Sequence, residues 1–360
     1  MKSQKEDYPI LFADDVFCDV KPELANLLRT LTGSEHPRIL IVADMNVVQR
    51  IEGLGTKIGR YLQAHGIELA ASPVVISGSE KIKADDMHSA LRIASAAVSA
   101  KIGRNDVMVV IGGGSILDVA CWAAAQVRGG VHVVRMPTSV ASMIDAAYAD
   151  YAALDLCCVK DSMRIESIPS AVVVDTGFAT TVLDGVWRAG FAEALRIATV
   201  FDAEGFNRFA ELAKPFNGRD FEAMSDIVRT AVDIRRRNGA TTFGLWSALR
   251  LESMSNYKVP HGYAVAIGIV IDAFYANLRG LITEAERDRI CEVLEDSGAM
   301  DCAFHSRHLI SSADSVMRGL DAWRLSSGSG SIVLPNGIGK FVIEENPDKD
   351  TMKEALNMLK

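Results

Sequence analysis

The feature that most constrains this chain is the stretch Val109-Val-Ile-Gly-Gly-Gly-Ser-Ile-Leu-Asp118, in which three consecutive glycines join a wholly apolar run to a helical one. Glycine has no Cβ, so its backbone can come close to a bulky anion. The helix that follows adds unpaired N–H groups and the positive end of its dipole. The spacing is not the G-x-G-x-x-G dinucleotide fingerprint, and a plain tight turn is the alternative for the triplet taken alone. Read as an anion cradle, the turn assigns Gly113, Gly114 and Ser115 to the diphosphate of a dinucleotide.

The surroundings favour the cradle. Short apolar runs at 38–43, 73–76, 106–111, 131–136 and 171–174 alternate with amphipathic stretches at 48–65, 84–100 and 115–127. Such alternation predicts a parallel sheet covered on both faces. After about Gly177 the pattern turns helical, over 181–201, 225–237, 244–254, 263–278 and 284–297. Two short runs, 332–334 and 341–343, flank Pro335-Asn-Gly-Ile-Gly339 as a hairpin before a terminal helix. The chain is therefore expected to hold an α/β N-terminal dinucleotide-binding domain over 1–176 and a mostly helical, all-α type C-terminal domain over 177–360. A length of 360 residues with 49% hydrophobic content suits two cores rather than one.

Ligands of open α/β sheets lie beyond the carboxyl ends of the strands. Asp44 and Asn46 follow the first predicted strand, where they can hold ribose hydroxyls or cap the next helix. Ser79 to Lys83 follows the second, as a ligand-facing or a solvated loop. Thr138 and Ser139 supply hydroxyls after the fourth. A carboxylate at 44 repels a 2′-phosphate and so favours NAD over NADP. The net charge of −8 argues against nucleic acid and anionic membrane as partners. The apolar stretch 107–127 is interrupted by the glycines and by Asp118, so it is no membrane span. Met1 to Tyr8 is polar with no apolar segment behind it, and the six cysteines form no CxxC pair. A cytoplasmic protein with reduced, mostly buried thiols is expected.

A wider set of residues resembles one family. Tyr8-Pro-Ile, Asp44-x-Asn46, Glu80-x-x-Lys83, Arg104-Asn-Asp-Val, the glycine triplet, Asp118, Arg128-Gly129, Pro137-Thr138, Asp145, Lys160, the stretch 169–175, Ala189-Gly-Phe-Ala-Glu193 and His261-Gly-Tyr-Ala-Val-Ala-Ile-Gly268 occur in the order and spacing of dehydroquinate synthase-like proteins, the sugar phosphate cyclases. Glycerol-1-phosphate dehydrogenases are similar to a lesser degree. The resemblance implies the two-domain fold of that family, a homodimer and a small phosphorylated substrate. It also implies a tightly held NAD that is reduced and reoxidised within one turnover, and a divalent metal, zinc, on one glutamate and two histidines. Glu80, Lys83, Asp118, Phe178 and Thr181 thereby join the cofactor set. Asp145, Lys160, Arg196 and Arg128 become the substrate-binding set, and Glu193 and His261 become metal ligands. Each has a plainer alternative: a loop lysine for Lys160, a helix C-cap for Arg128, an ion pair with Arg196 or Arg188 for Glu193, a helix-start residue for His261.

The chain also departs from the family. Leu245 and Leu249 stand where the family has histidines, one of them the remaining metal ligand; His305 and His308 are conceivable substitutes. A family lysine is Tyr151, and its Asp-Lys-Lys reads Asp321-Ala-Trp-Arg324. Three readings follow: a cyclase-type enzyme on a phosphorylated sugar or polyol other than the dehydroquinate synthase substrate, a glycerol-1-phosphate dehydrogenase-like oxidoreductase, or a catalytically silent nucleotide-binding homologue.

Overall fold

The apolar runs of the first half lie side by side because none can leave its backbone groups unpaired. In a computed structural model the described residues are 8–157, 159–301 and 312–359. His305, His308, Cys158 and Cys302 lie outside them. The strands are β1 (Ile10–Ala13), β2 (Arg38–Asp44), β3 (Glu68–Leu69), β4 (Val74–Ile76), β5 (Val107–Gly112), β6 (His132–Pro137), β7 (Tyr151–Leu156), β8 (Val159–Glu166) and β9 (Ala171–Asp175). Seven of them form one parallel sheet ordered β1-β9-β6-β5-β2-β3, with β4 also on β2. Every residue of the central β5 is buried, as a strand covered on both faces requires. Registers Asp44↔Ile76 and Gly112↔Pro137 align the strand ends, which sets Asp44, the glycine turn and Thr138 along one edge.

Several local expectations are corrected. The stretch 48–65 is two helices, Met45–Arg50 and Leu54–Ala64, because Gly53 takes a left-handed φ of 71° between them. The helix expected from 84 begins at His88, after a 3₁₀ turn over Glu80–Ala84. The antiparallel pair β7–β8 and the edge strand β1 are additions. Of the cysteines among the described residues only Cys121 is buried, and Cys157 is exposed at the β7–β8 tip.

Contacts divide the chain into two units, Asp7–Val182 and Leu183–Lys360. The turn Thr176–Thr181 belongs to the first, where Phe178 is buried and Arg50 donates to the Thr181 carbonyl at 2.7 Å. The second unit is helical apart from the antiparallel hairpin β10 (Ile332–Pro335) and β11 (Phe341–Glu344). The stretch 181–201 divides at Gly190 into Asp184–Ala189 and Phe191–Phe201, and an unanticipated helix, Ala203–Asn217, follows. Pro215 hid that helix from the sequence reading. It sits in the last turn.

The helix His261–Leu278 runs through the core of this unit. At 18 residues it is long and apolar enough to resemble a membrane span, yet 78% of it is buried inside the protein. It approaches the start of helix Leu245–Met254 so closely that a Cβ on Gly268 would lie 2.0 Å from the Gly244 carbonyl oxygen. Gly244 itself has φ 76°. The buried Asp272 locks this crossing by accepting the Gly244 N–H at 2.8 Å and the Trp246 Nε1–H at 2.7 Å. Burial pushes its carboxyl up to about 7 despite those two donors.

A carboxyl raised in the folded state binds a proton that the unfolded chain has already released. Stability should therefore fall as pH rises from about 4 to about 7, by an amount on the order of 4 kcal/mol for this group, and level off above. Urea titrations at several pH values are expected to show that slope, and Asp272→Asn should flatten it while lowering stability overall.

Candidate functional site

The glycines of the turn do different things. Gly112 is required by packing, since a Cβ there would lie 2.6 Å from the Ile116 Cβ. Gly113 and Gly114 are not. A Cβ on either would make ordinary contacts, 3.6 Å to Ser139 Oγ and 3.4 Å to the Ala146 Cβ, and Gly113 has φ −72°. Neither packing nor backbone conformation demands glycine at 113 and 114. What their missing side chains leave is room beside the first turn of helix Gly114–Gln126. Ser115 is buried in that turn, and the Thr138 N–H donates to the Gly112 carbonyl at 3.1 Å. Ser139 caps the next short helix through Ser142.

Asp44 is both a cap and a held carboxylate. Its Oδ1 accepts from Asn46 N at 2.8 Å, Asn46 Nδ2 at 3.0 Å and Gly78 N at 3.3 Å. A Cβ on Gly78 would fall 2.2 Å from Asp44 Oδ2, so only glycine fits opposite it.

Four residues that the sequence divided between cofactor and substrate belong to one buried ionic network. Lys83 Nζ lies 2.6 Å from both Asp118 Oδ2 and Asp161 Oδ1. Lys160 Nζ lies 2.8 Å from Glu80 Oε2 and 3.7 Å from Asp155 Oδ2. Asp118 Oδ1 accepts the Ala153 N–H at 3.2 Å, which ties the helix after the glycines to β7. Burial works against the Lys83 charge, but Asp118 and Asp161 outweigh it and hold its pKa well above the usual value. Burial likewise opposes the Asp161 carboxylate, and Lys83 and Lys160 overcome it. Asp161 and Asp155 were not singled out from the sequence. A period-2 polar pattern over β8 was the available signal.

Asp145 ends the short helix Val140–Ile144 and is half-buried. The segment after it is pinned by Arg135, buried on β6, whose guanidinium donates to the carbonyls of Ala147, Ala149 and Ser167. Arg128 is apart from this group. It precedes β6, at the opposite edge of the sheet from the glycine turn, and its Nε donates to the Ile102 carbonyl at 3.0 Å. Phe178 is buried and accepts the Thr181 hydroxyl at 2.8 Å.

In the second unit Glu193 and Arg196 are one turn apart on helix Phe191–Phe201, each 1% exposed, with Arg196 Nε on Glu193 Oε2 at 2.5 Å and its NH1 on the Thr241 carbonyl. Arg188 pairs instead with Asp301 at 2.7 Å. His261 opens the core helix after Pro260. Its Nε2 lies 3.3 Å from Glu193 Oε1 and its Nδ1 2.9 Å from Glu252 Oε2. Burial would raise the Glu193 carboxyl, but Arg196 and His261 bring it down to about 2. Burial opposes the imidazolium, yet Glu252 and Glu193 hold its pKa well above the usual histidine range. Glu252 was missed from the sequence. Glu252 is itself wholly buried, and a buried carboxylate is costly unless partnered.

This arrangement fits a divalent cation on two ligands. Donors bound at ~2.0–2.1 Å on a tetrahedral ion sit ~3.3–3.4 Å apart, the separation of His261 Nε2 and Glu193 Oε1. Glu193 Oε1 is buried and makes no well-aligned hydrogen bond, although His261 Nε2 faces it at 3.3 Å. Glu252 on Nδ1 is the carboxylate partner that orients a metal-binding imidazole. Leu245 and Leu249 are half-buried one turn apart on the helix that carries Glu252. No cluster of three His, Cys, Asp or Glu suited to a metal occurs among the described residues.

Replacing Lys83 by methionine strands Asp118 and Asp161 in a buried site. A loss of about 3–5 kcal/mol is expected. Thermal unfolding should read it, and hydrogen exchange should rise over residues 151–166.

Comparison with known proteins supplies context for both units. Models of the 3-dehydroquinate synthase N-terminal and C-terminal regions match residues 73–188 and 190–308. A 2-epi-5-epi-valiolone synthase from Actinomyces sp is 31% identical over 284 residues, covering 72% of this chain and 72% of that protein. The 3-dehydroquinate synthase of Shewanella halifaxensis is 24% identical over 98% of this chain and 97% of its own length. Among solved structures, a 2-epi-5-epi-valiolone synthase from Streptomyces hygroscopicus with NAD+ and Zn2+ bound superposes with a TM-score of 0.83 at 25% identity, covering 98% of this chain and 96% of that one. A 2-deoxy-scyllo-inosose synthase at 17% identity shares the fold, with a TM-score of 0.79 over 97% of this chain and 96% of that one.

Proposed function

The chain belongs to the dehydroquinate synthase-like family of the sugar phosphate cyclase superfamily, and from that premise we propose that it is an NAD-dependent cyclase-type enzyme acting on a phosphorylated sugar or polyol, distinct from dehydroquinate synthase in its substrate. The observation that carries this reading is the pair Gly113 and Gly114, whose side-chain-free space serves no packing need of the protein. Asp44, at the same edge, offers its carboxylate to a ribose diol, with Asn46 beside it. Glu80, Lys83, Asp118, Thr138, Ser139, Phe178 and Thr181 shape the rest of the nucleotide site.

Such an enzyme is a carbon–oxygen lyase with an internal redox cycle. NAD would supply a hydride acceptor that is regenerated within one turnover, and a divalent cation such as zinc, which Glu193 and His261 would hold, would supply polarisation of a carbinol oxygen. The chain's own residues do the remaining work. Glu252 accepts the Nδ1 proton of His261 and so leaves Nε2 as the donor atom. Arg196 occupies Glu193 Oε2, which leaves Oε1 as the ligand oxygen. In this reading Asp145 accepts a substrate hydroxyl, and Lys160 and Arg128 complete the polar set, Arg128 through the partner of a homodimer. A cytoplasmic location belongs to the same reading.

The cofactor half is tested with purified protein. NAD should co-purify or bind in calorimetry, and added NADH should not be consumed in net turnover. Steady oxidation of NADH by a polyol phosphate ketone would instead identify an oxidoreductase. Gly113→Val should weaken NAD at least tenfold, while Gly113→Ala stays within about 1 kcal/mol of the wild-type stability because its Cβ meets only ordinary contacts.

The metal half is tested by elemental analysis after dialysis. With only two protein ligands, zinc should be lost more readily than from a three-ligand site. Glu252→Gln should weaken retention a further ~10–100-fold. Leu245→His, which restores a histidine at the family's ligand position, should strengthen it. Unchanged retention in both variants would remove Glu193 and His261 from the metal reading.

A further inference from the structure

One departure seen in the sequence has no part in the reading above. Tyr151 stands where a family lysine is expected, and it opens β7. We propose that Tyr151 is a specificity-determining residue, whose hydroxyl meets an uncharged hydroxyl of the substrate and whose surroundings keep a carboxylate out of that place, an inference that rests on the polyol-phosphate reading above.

Two contacts place Tyr151 beside the glycine turn. Ala146, next to Asp145, lies 3.4 Å from where a Cβ on Gly114 would stand. The Ala153 N–H donates at 3.2 Å to Asp118, one turn further along the helix that leaves the glycines. Tyr151 sits on the short segment between these anchors, which Arg135 also holds through the Ala147 and Ala149 carbonyls. Across the hairpin Tyr151 pairs with Glu166 and Ala153 with Arg164, so Tyr151 and Arg164 are diagonal neighbours on one face. The Arg164 guanidinium lies over the Tyr151 ring, 4.7 Å from its centroid. Its Nε donates to the Asp161 carbonyl at 3.2 Å, and its Nη2 lies 3.9 Å from Asp161 Oδ2. Asp161 in turn holds Lys83, so the ring is clamped against the buried ionic network.

What the clamp leaves over is the hydroxyl. Tyr151 is half-buried, and among the described residues its oxygen has no hydrogen-bond partner. The hydroxyls of Tyr61 and Tyr275, by contrast, each accept a backbone N–H, at 3.0 Å and 2.9 Å. A phenol fixed through its ring and unpartnered at its oxygen is suited to a ligand group that both donates and accepts, which a sugar hydroxyl does. Burial, then the Asp161 charge, push the phenol up to about 12, so at neutral pH it is a neutral donor. The cations nearby are committed to carboxylates, Lys83 to Asp118 and Asp161, and Arg164 to Asp161. A carboxylate brought to this place would meet like charge from Asp118, Asp161 and Glu166.

The test uses the intact protein with NAD present and a matched pair of probes, glucitol 6-phosphate and 6-phosphogluconate, which differ only in a terminal hydroxymethyl group against a carboxylate. Calorimetry should show saturable binding of glucitol 6-phosphate and binding of 6-phosphogluconate weaker by about tenfold or more. Tyr151→Phe keeps the ring under Arg164 and removes only the hydroxyl. It should weaken glucitol 6-phosphate about five- to tenfold, with melting temperature and NAD affinity unchanged. Tyr151→Lys should narrow or reverse the preference. Binding of neither probe by the wild type, equal binding of the two, or unchanged glucitol 6-phosphate binding in Tyr151→Phe would overturn the assignment. An unchanged preference in Tyr151→Lys would overturn the exclusion of the carboxylate. Loss of NAD in Tyr151→Phe with the probe still held would overturn the assignment to substrate. Should NAD fail to bind the wild type while the probe preference still depends on Tyr151, the specificity role stands and the nucleotide reading falls.

Discussion

A single ammonium group holds the first unit in the form that matters. Lys83 is buried between Asp118, on the helix that leaves the glycine turn, and Asp161, on the β7–β8 hairpin. Three charges removed from water are tolerable only because each faces an opposite charge at hydrogen-bonding distance. Two elements far apart in sequence therefore take up one fixed relation, and the edge beside the glycines inherits it. Lys160, Glu80 and Asp155 extend the same logic outward. Residues that a list of roles would divide between cofactor and substrate are here one electrostatic unit.

The second unit repeats the device with a different composition. Arg196, Glu193, His261 and Glu252 alternate in charge from one buried helix to the next. The imidazolium and Arg196 together balance the two carboxylates. The same contacts leave Nε2 and Oε1 at the separation of two ligands on one ion.

Much of this was legible beforehand. The continuous apolar runs gave away the parallel sheet because a strand covered on both faces has no polar side to show. The glycine triplet and the residues ending β2 and β6 were expected at the carboxyl ends of their strands, and the registers set them along one edge. What the sequence hid has physical reasons. Helix 48–65 is two helices because Gly53 adopts a conformation that composition cannot announce. Helix Ala203–Asn217 was obscured by Pro215, harmless in a final turn. The hairpin β7–β8 is polar along β8, so its strand character lies in alternation rather than in apolar content. Glu252 was overlooked because a lone carboxylate beside leucines looks like a surface residue until its partner, nine positions on, is seen to turn back toward it.

The bare α-carbon at Gly78 reaches further than its size suggests. The Asp44 carboxylate occupies the volume that a methyl group would need there, and three N–H groups converge on one of its oxygens. Positions 44 and 78 are thus one decision made twice, thirty-four residues apart. Any lineage, or any engineer, that trades the acid at 44 for a group welcoming a second phosphate on the ribose inherits a hollow and stranded donors. A matching change at 78 is the local remedy.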